Sequence, residues 1–445
     1  MASVSHVRWT AMADVRPFRG LRYNPRKVAI EKVVTQPYDK ISRDMQDRYY
    51  ALDPHNIIRV ILGRSLEGDT ADNNVYTRAD ATLREWRADG VIEPMQGPSF
   101  VACVQRFTIP GTTQQRLRKG FIGLGRLEDY SNKIVFPHER TLAGPKQDRL
   151  QLLRHTKTHF EQIFMLYEDP EQRIDALLDA AAQARPDIEV TDEYGVTHTL
   201  WVLNDPAMTG RIQASMNGKK LIIADGHHRY ETALAYRDEQ RAQGGNPADA
   251  AYEWLPMTFF NMHSPALTVL PTHRVVQRLH VFSSAKFFQQ ASEFFDIEPA
   301  PSDSEAFAGA LTEAGRSRLS IGVATDGGRR HALLRLKDNN LASVMSDLSP
   351  RQRTLDVVIL HRLLIEGCLG VTEDAVKHET NIAYVRDFDA ALSAVANGAQ
   401  VAFLLNPVRL EQMRDIVYEG NVMPQKSTDF YPKVLSGLVL YSLSE

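Results

Sequence analysis

The sequence predicts a mixed α/β (α+β) fold, and three observations carry that expectation. Short runs dense in β-branched and aromatic residues recur along the whole chain. Between them stand segments with apolar residues at helical spacing, several closed by glycine. At 445 residues the chain is longer than one hydrophobic core usually organises, so two or three domains are expected.

In chain order, residues 1–129 form an expected N-terminal α/β segment. Residues 56–62, Asn-Ile-Ile-Arg-Val-Ile-Leu, read as a strand ended by Gly63, and residues 74–89 read as an amphipathic helix closed by Gly90. Residues 100–108 and 121–127 read as two strands joined by a polar turn at Gly111-Thr-Thr. Residues 130–280 form the expected core and hold most of the unusual polar residues. A helix over 146–159 is followed by a strand over 160–167 and a helix over 171–184. A strand over 220–224 then runs straight into a helix over 228–242, stopped by Gly244-Gly245-Asn246-Pro247. Residues 257–262 read as a strand before a turn at Pro271-Thr272-His273-Arg274. Residues 281–445 form the expected C-terminal α/β domain, with strands over 319–324, 331–336 and 400–405.

Composition narrows the function classes. Lys plus Arg number 52 against 55 Asp plus Glu, a net charge of -3, which argues against a nucleic-acid partner. The two cysteines, Cys103 and Cys368, stand in neither metal-ligand nor redox spacing and suit a reducing compartment. Residues 1–22 hold no apolar stretch of signal-peptide length, and no segment approaches the roughly 20 apolar residues of a membrane span. The expectation is a soluble cytoplasmic protein with no membrane partner, and a homo-oligomer is compatible with it.

The sharpest local feature is Leu221-Ile-Ile-Ala-Asp225-Gly226-His227-His228-Arg229-Tyr230. An apolar strand meets a helix across one glycine, with donor-rich side chains in the first helical turn. The first helical N–H groups lack intrahelical acceptors and carry the positive end of the dipole, so such a turn receives anions. Arg229 can clamp phosphate oxygens, while His227 and His228 can donate to them or exchange protons near neutral pH. Gly226 permits a backbone conformation or close approach that a Cβ would block. Asp225 can cap the helix, orient a histidine or bind magnesium. A capped helix with surface histidines is the plainer alternative.

A second polar patch is Pro137-His138-Glu139-Arg140-Thr141 with Lys146-Gln-Asp148-Arg149. Glu139 beside His138 suits a general base. Lys146 and Arg149, three apart, share a helix face and suit phosphate or carboxylate. A solvated helix start with ordinary salt bridges accounts for the patch equally well. His155 and His159 have metal-pair spacing but no third ligand, so an amphipathic helix is the better reading. His273 and Arg274 can join a site or merely end a strand, and the polar stretch 423–433 reads as a surface turn. There is no Gly-x-x-x-x-Gly-Lys-Ser/Thr loop. Gly123-Leu-Gly125 lacks the third glycine of a dinucleotide fingerprint, and no Gly-x-Ser-x-Gly elbow occurs.

Pro137-His-Glu-Arg-Thr141, Lys146-Gln-Asp-Arg149, Ile223-Ala-Asp-Gly-His-His-Arg-Tyr-Glu-Thr-Ala233, Pro271-Thr-His-Arg274 and Lys426-Ser-Thr428, in this order, resemble the bacterial and archaeal family known as domain of unknown function 1015. Arg16-Pro-Phe-Arg-Gly20 and Gln36-Pro-Tyr-Asp39 extend the resemblance to the N-terminal segment. A narrower resemblance is to ADP-dependent free-serine kinases of the ParB/sulfiredoxin superfamily, through Pro137-His138-Glu139 and Asp225 to Arg229. It implies a ParB/sulfiredoxin-like core with N- and C-terminal additions. It also implies Glu139 as the base acting on a hydroxyl, with His138 and His228 catalytic, and Asp225, Gly226, His227, His228 and Arg229 binding nucleotide phosphates.

The expected function is therefore an ADP- or ATP-dependent kinase of a small hydroxylated metabolite, with L-serine foremost. Thr141, Lys146, Arg149, His273 and Arg274 are the expected substrate contacts, and Asp225 and Asp148 the expected ligands of Mg2+. A phosphohydrolase and a non-catalytic nucleotide-sensing module are the alternatives.

Overall fold

The computed structural model describes residues 13–139, 144–244, 249–337 and 341–444. The chain divides into two compact units. The first takes residues up to Pro137, Thr141–Thr268 and Pro432–Glu445, and the second takes His138–Arg140 and Val269–Tyr431. Both mix helices and strands, as expected.

The first unit is organised by a nine-stranded sheet of β1 (Val15–Arg16), β2 (Phe100–Thr108), β3 (Gln115–Arg126), β4 (Val135–Pro137), β5 (Ile163–Tyr167), β6 (Ile188–Thr191), β7 (Thr197–Leu203), β8 (Leu221–Asp225) and β9 (Trp254–Asn261). Its spatial order is β4-β8-β5-β9-β3-β2-β7-β6, with β1 added against β3. The β4–β8 and β5–β9 pairs are parallel and the others antiparallel. Strand β9 is buried at every residue, because both faces of the sheet are covered. Alternate residues supply two cores. Phe121, Met257 and Phe259 pack with Ile223 and Tyr230 on one side, while Ile122, Leu124 and Trp254 pack with Val101 and Leu440 on the other.

The two glycines of Gly123-Leu-Gly125 have a packing role in this sheet. A Cβ on Gly123 would come within 2.5 Å of the Phe100 ring, and one on Gly125 would collide with Met257. They make room for large neighbours on adjacent strands.

Residues 56–62 do not form the expected strand. They hold the short helix α1 (Ile58–Ile61), started by the Asn56 carboxamide, which accepts from Ile58 N at 2.9 Å and donates to the Lys32 carbonyl at 2.7 Å. Ile57, Ile58, Val60 and Ile61 are all buried, so the run's β propensity yields to packing on every side. Four helices of this unit fall close to expectation: α2 (Val75–Ala88), capped by Asn74 and closed by Gly90 at φ 69°, α3 (Gly144–Thr156), α4 (Arg173–Ala181) and α6 (His227–Ala242), whereas the helix Arg43–Leu52 is unexpected. Helix α5 (Pro206–Met216), with Asp205 at its N-cap and proline in its first turn, has no counterpart in the sequence reading.

The second unit is built on a six-stranded antiparallel sheet of β10 (His273–Val276), β11 (Phe295–Pro299), β12 (Ser320–Thr325), β13 (Arg330–Leu336), β14 (Ile382–Val385) and β15 (Val401–Leu404). Its order is β11-β13-β12-β15-β10-β14. Helices α7 (Ser304–Ser317) and α8 (Phe388–Ala396) cover one face through Phe307, Leu311, Ala391 and Val395. The segment Pro271-Thr-His-Arg274 is not simply a turn: His273 and Arg274 open β10, which is paired on both sides. Among the described residues no helix is long and apolar enough to cross a membrane.

Candidate functional site

In the first unit, the strand, glycine and helix around residue 226 form as the sequence predicts. Strand β8 ends at Asp225, Gly226 takes φ 92°, ψ 25°, and α6 starts at His227. A side chain at 226 would be strained by that φ, and its Cβ would lie 3.1 Å from the Arg229 guanidinium and from Ile163 Cδ1. Pro137, the last residue of β4, pairs with Ile223 of β8.

Asp225 is held between two cations. Lys433 Nζ donates to Oδ1 at 3.0 Å, and Arg229 Nη2 donates to Oδ2 at 2.8 Å. Burial alone would raise this carboxyl, but Lys433, Arg229 and Lys40 outweigh it and hold it well below the usual carboxylate range. Arg229 also donates through Nη1 to the Gln162 carbonyl at 2.6 Å, and its Nε lies 3.9 Å from Glu161 Oε2. Burial works against its charge, yet Glu161, Asp225 and Asp39 keep it above its ordinary value. Glu161 in turn accepts from Tyr38 N at 3.0 Å and from Ser436 Oγ at 2.6 Å. Burial pushes the Tyr38 phenol up to about 12, against the nearby Arg229 and Arg149. His227 is buried and His228 half-buried in the first turn of α6.

Glu161 and Lys433 have no place in the sequence reading of the turn, and Tyr38 entered only as part of a motif. Lys433 stands 208 positions from Asp225 and is set by its own backbone. Its carbonyl accepts from Gln105 Nε2 at 2.8 Å, and the fully buried Arg118 donates to Gln105 and to the Pro432 carbonyl. The Gln36-Pro-Tyr-Asp39 motif was the available signal for Tyr38. A cavity of about 50 Å³ lies beside this network, lined by Arg149, His159, Glu161, Arg229 and Thr232.

The residues of α3 have other partners. Lys146 pairs with Glu231 of α6. Arg149 is buried, donating to Asp148 and to the Ile61 carbonyl, with its guanidinium 4.2 Å from the Tyr38 ring centre. Asp148 accepts from Arg149 and, at 2.8 Å, from the Tyr76 hydroxyl. His155 stacks on Tyr76 and His159 on Tyr441, in line with packing rather than metal ligation. Asp225 and Asp148, the expected magnesium ligands, thus already have cationic or hydroxyl partners on both carboxylate oxygens. Among the described residues no group of three or more His, Cys, Asp and Glu side chains is arranged to hold a metal. This donor set does not fit a protein-built magnesium site, which needs free carboxylate oxygens.

In the second unit, His138 and Glu139 meet the segment 423–430. The His138 carbonyl accepts from Met423 N at 2.9 Å, and Glu139 bridges to Met423 in parallel fashion. The buried His138 ring has Nε2 2.7 Å from Thr428 Oγ1 and stands in a T-shaped arrangement with the Phe430 ring. Glu139 Oε2 accepts from Lys426 N at 3.2 Å and lies 4.0 Å from His138 Nε2. Thr141 lies outside the described residues.

Arg274 is 1 % exposed and donates to the Thr272 carbonyl and, through Nη2 at 2.9 Å, to the Lys426 carbonyl. Burial pulls it down to about 10 despite Tyr384, Asp356 and Glu139. His273, also 1 % exposed, accepts from Leu405 N through Nδ1, and burial with the neighbouring Arg274 holds it down to about 4. His273 and Arg274, two of the five expected substrate contacts, are therefore interior residues in this structure.

A comparison with curated proteins finds no match. Among solved structures the chain is similar to a free serine kinase variant in complex with ADP, at 12% identity and a TM-score of 0.34, covering 68% of this chain and 89% of that one. It is similar to a conserved hypothetical protein from Pyrococcus furiosus at 10% identity and TM-score 0.32, covering 68% and 92%. It is also similar to SbnI with C-terminal truncation from Staphylococcus aureus, at 10% identity and TM-score 0.34, covering 71% and 85%. Residues 15–358 match the family described as Protein of unknown function (DUF1015), a span that holds the Pro-His-Glu segment and the Asp-Gly-His-His-Arg turn. With well over half of its length matched, this chain belongs to the DUF1015 family.

Proposed function

We propose that this protein is a nucleotide-dependent phosphotransferase acting on a hydroxyl of a small metabolite, with L-serine the leading acceptor and ADP or ATP the donor. The observation that carries the reading is the turn at Gly226: a left-handed glycine opens a 16-residue helix beside Arg229 and Lys433. A helix start carries the positive end of the helix dipole and, with an arginine and a lysine nearby, favours phosphate oxygens. Phosphoryl transfer asks chiefly for alignment and charge neutralisation, which suits such a turn.

Glu139 is the proposed base. Its carboxylate, about a quarter exposed, is anchored by a backbone N–H, and His138 beside it is fixed by Thr428. An anchored, accessible carboxylate can take a hydroxyl proton as the oxygen attacks the terminal phosphorus and the bond from that phosphorus to its bridging oxygen breaks, releasing AMP from ADP or ADP from ATP. His227 and His228 are assigned to the phosphates, and magnesium would arrive with the nucleotide rather than on a protein-built site. The resemblance of Pro137-His138-Glu139 and of Asp225 to Arg229 to free-serine kinases supports the same assignment.

The test is phosphate transfer from ADP and from ATP, with magnesium, to a panel of hydroxyl metabolites that includes L-serine. Phosphoserine that disappears in Glu139→Gln, with nucleotide affinity within a few-fold, is the expected result. Phosphate released with no acceptor present would instead make the protein a phosphohydrolase, and nucleotide binding without turnover would make it a sensor.

A further inference from the structure

Arg274 stands where the sequence suggested a substrate contact, yet only 1 % of it is exposed. Its hydrogen bonds lead elsewhere. Nη2 donates to the carbonyl of Lys426, and the N–H of the same residue donates to Glu139 Oε2. Lys426 adopts φ 56°, a left-handed conformation that a lysine rarely takes. A non-glycine residue in that region persists only when its surroundings impose it. The surroundings here are specific. Arg274 holds the Lys426 carbonyl, Met423 N bonds to the His138 carbonyl, and Thr428 bonds to the His138 ring. Arg386 clamps the Asp429 carboxylate at 2.7 and 3.0 Å.

We propose that Arg274 is a positioning residue, which fixes Lys426 in its left-handed conformation so that its N–H orients the Glu139 carboxylate. Arg274 touches neither substrate nor nucleotide in this role. It acts through the backbone of one residue, holding the carbonyl of Lys426 while the N–H on the other side of its Cα holds Glu139. The consequence for catalysis rests on the reading of Glu139 as the base. The consequence for the loop does not.

The experiment uses the full chain and two variants, Arg274→Met and Arg274→Lys, with two readouts. The first is amide hydrogen exchange over residues 423–428. The second is kcat and KM for phosphate transfer to L-serine. Methionine keeps the volume of the stem and removes the donors. It should speed exchange at Lys426 about 10-fold or more, because a local hydrogen bond is lost. It should also lower kcat about 100-fold with KM for the nucleotide within about 3-fold, the signature of a misplaced catalytic group. Lysine, able to donate to the same carbonyl, should recover part of both effects. If the methionine variant does not fold, the lysine variant decides by the same two readouts.

Unchanged exchange over 423–428 overturns the proposal, and so does faster exchange with unchanged kcat. Wild-type protein that transfers no phosphate, with exchange altered as expected, sinks the kinase reading and leaves Arg274 as the residue that holds the loop. Transfer that persists alongside unaltered exchange does the reverse.

Discussion

The turn at 225–229 and the pairing of Glu139 with residues 423–430 carry the two halves of the proposed chemistry, and they are built in opposite ways. The turn is contiguous: strand, glycine and helix follow one another, and Arg229 reaches Asp225 from one helical turn away. The Glu139 cluster is assembled from residues 287 positions apart. Local geometry can be written into five residues, because a left-handed glycine and a helix start need no distant partner. An anchored carboxylate cannot, because its donor is a backbone N–H with no side-chain signature.

This contrast sets the expected effects of mutation. The largest should separate the two regions kinetically. Glu139→Gln should lower transfer about 10³-fold while leaving nucleotide affinity nearly intact, whereas Arg229→Ala should weaken nucleotide binding directly. Calorimetric titration with ADP beside the transfer assay distinguishes them, and equal losses of rate and affinity in Glu139→Gln would remove it as the base.

A large structural effect should fall on the turn. Asp225→Asn leaves Arg229 and Lys433 without their shared carboxylate, and breaking such a buried pair costs about 3 kcal/mol at pH 7. The sign with pH follows from the direction of the shift. Asp225 is depressed in the folded protein, so its contribution is complete above the unfolded value of about 4 and is lost as pH falls through the lower folded value. Urea unfolding should show the gap between wild type and variant narrowing below about pH 4; a gap independent of pH would remove the ion pairs as its cause.

In the second unit the direction reverses. Burial raises the Asp356 carboxyl to about 6, against the pull of Arg274. Above the unfolded value of about 4 the unfolded chain ionises first, so stability falls as pH rises towards 6 and stays reduced above it. Asp356→Asn should therefore stabilise the protein by about 2 kcal/mol at pH 7 and by little at pH 4. A lower melting temperature at pH 7 would contradict this.

The smallest effect should come from Lys426→Gly. Glycine accepts the left-handed conformation without strain, so the folded protein should gain about 0.5–1 kcal/mol, less what glycine adds to the entropy of the unfolded chain. A clear loss in chemical denaturation would show that the Lys426 side chain carries more than its backbone.

Sequence patterning determined a good deal of this protein. Period and composition placed the 100–126 hairpin, the helices over 75–88 and 227–242, and the strand that ends at Asp225, because each buries a face its own pattern defines. The Asp-Gly-His-His-Arg string announced its turn for the same reason. Tertiary structure alone decided the rest. Residues 58–61 became a helix because burial of Ile57, Ile58, Val60 and Ile61 outweighs the β propensity of the run. Lys433 came to Asp225, and Lys426 N to Glu139, through long-range pairings that no local pattern encodes. Arg274 and Arg149 look in sequence like cations free for a ligand, but in the fold their donors go to backbone carbonyls and, for Arg149, also to the Asp148 carboxylate. A buried guanidinium must satisfy its N–H groups wherever the fold leaves acceptors, and only the folded chain fixes where those acceptors are.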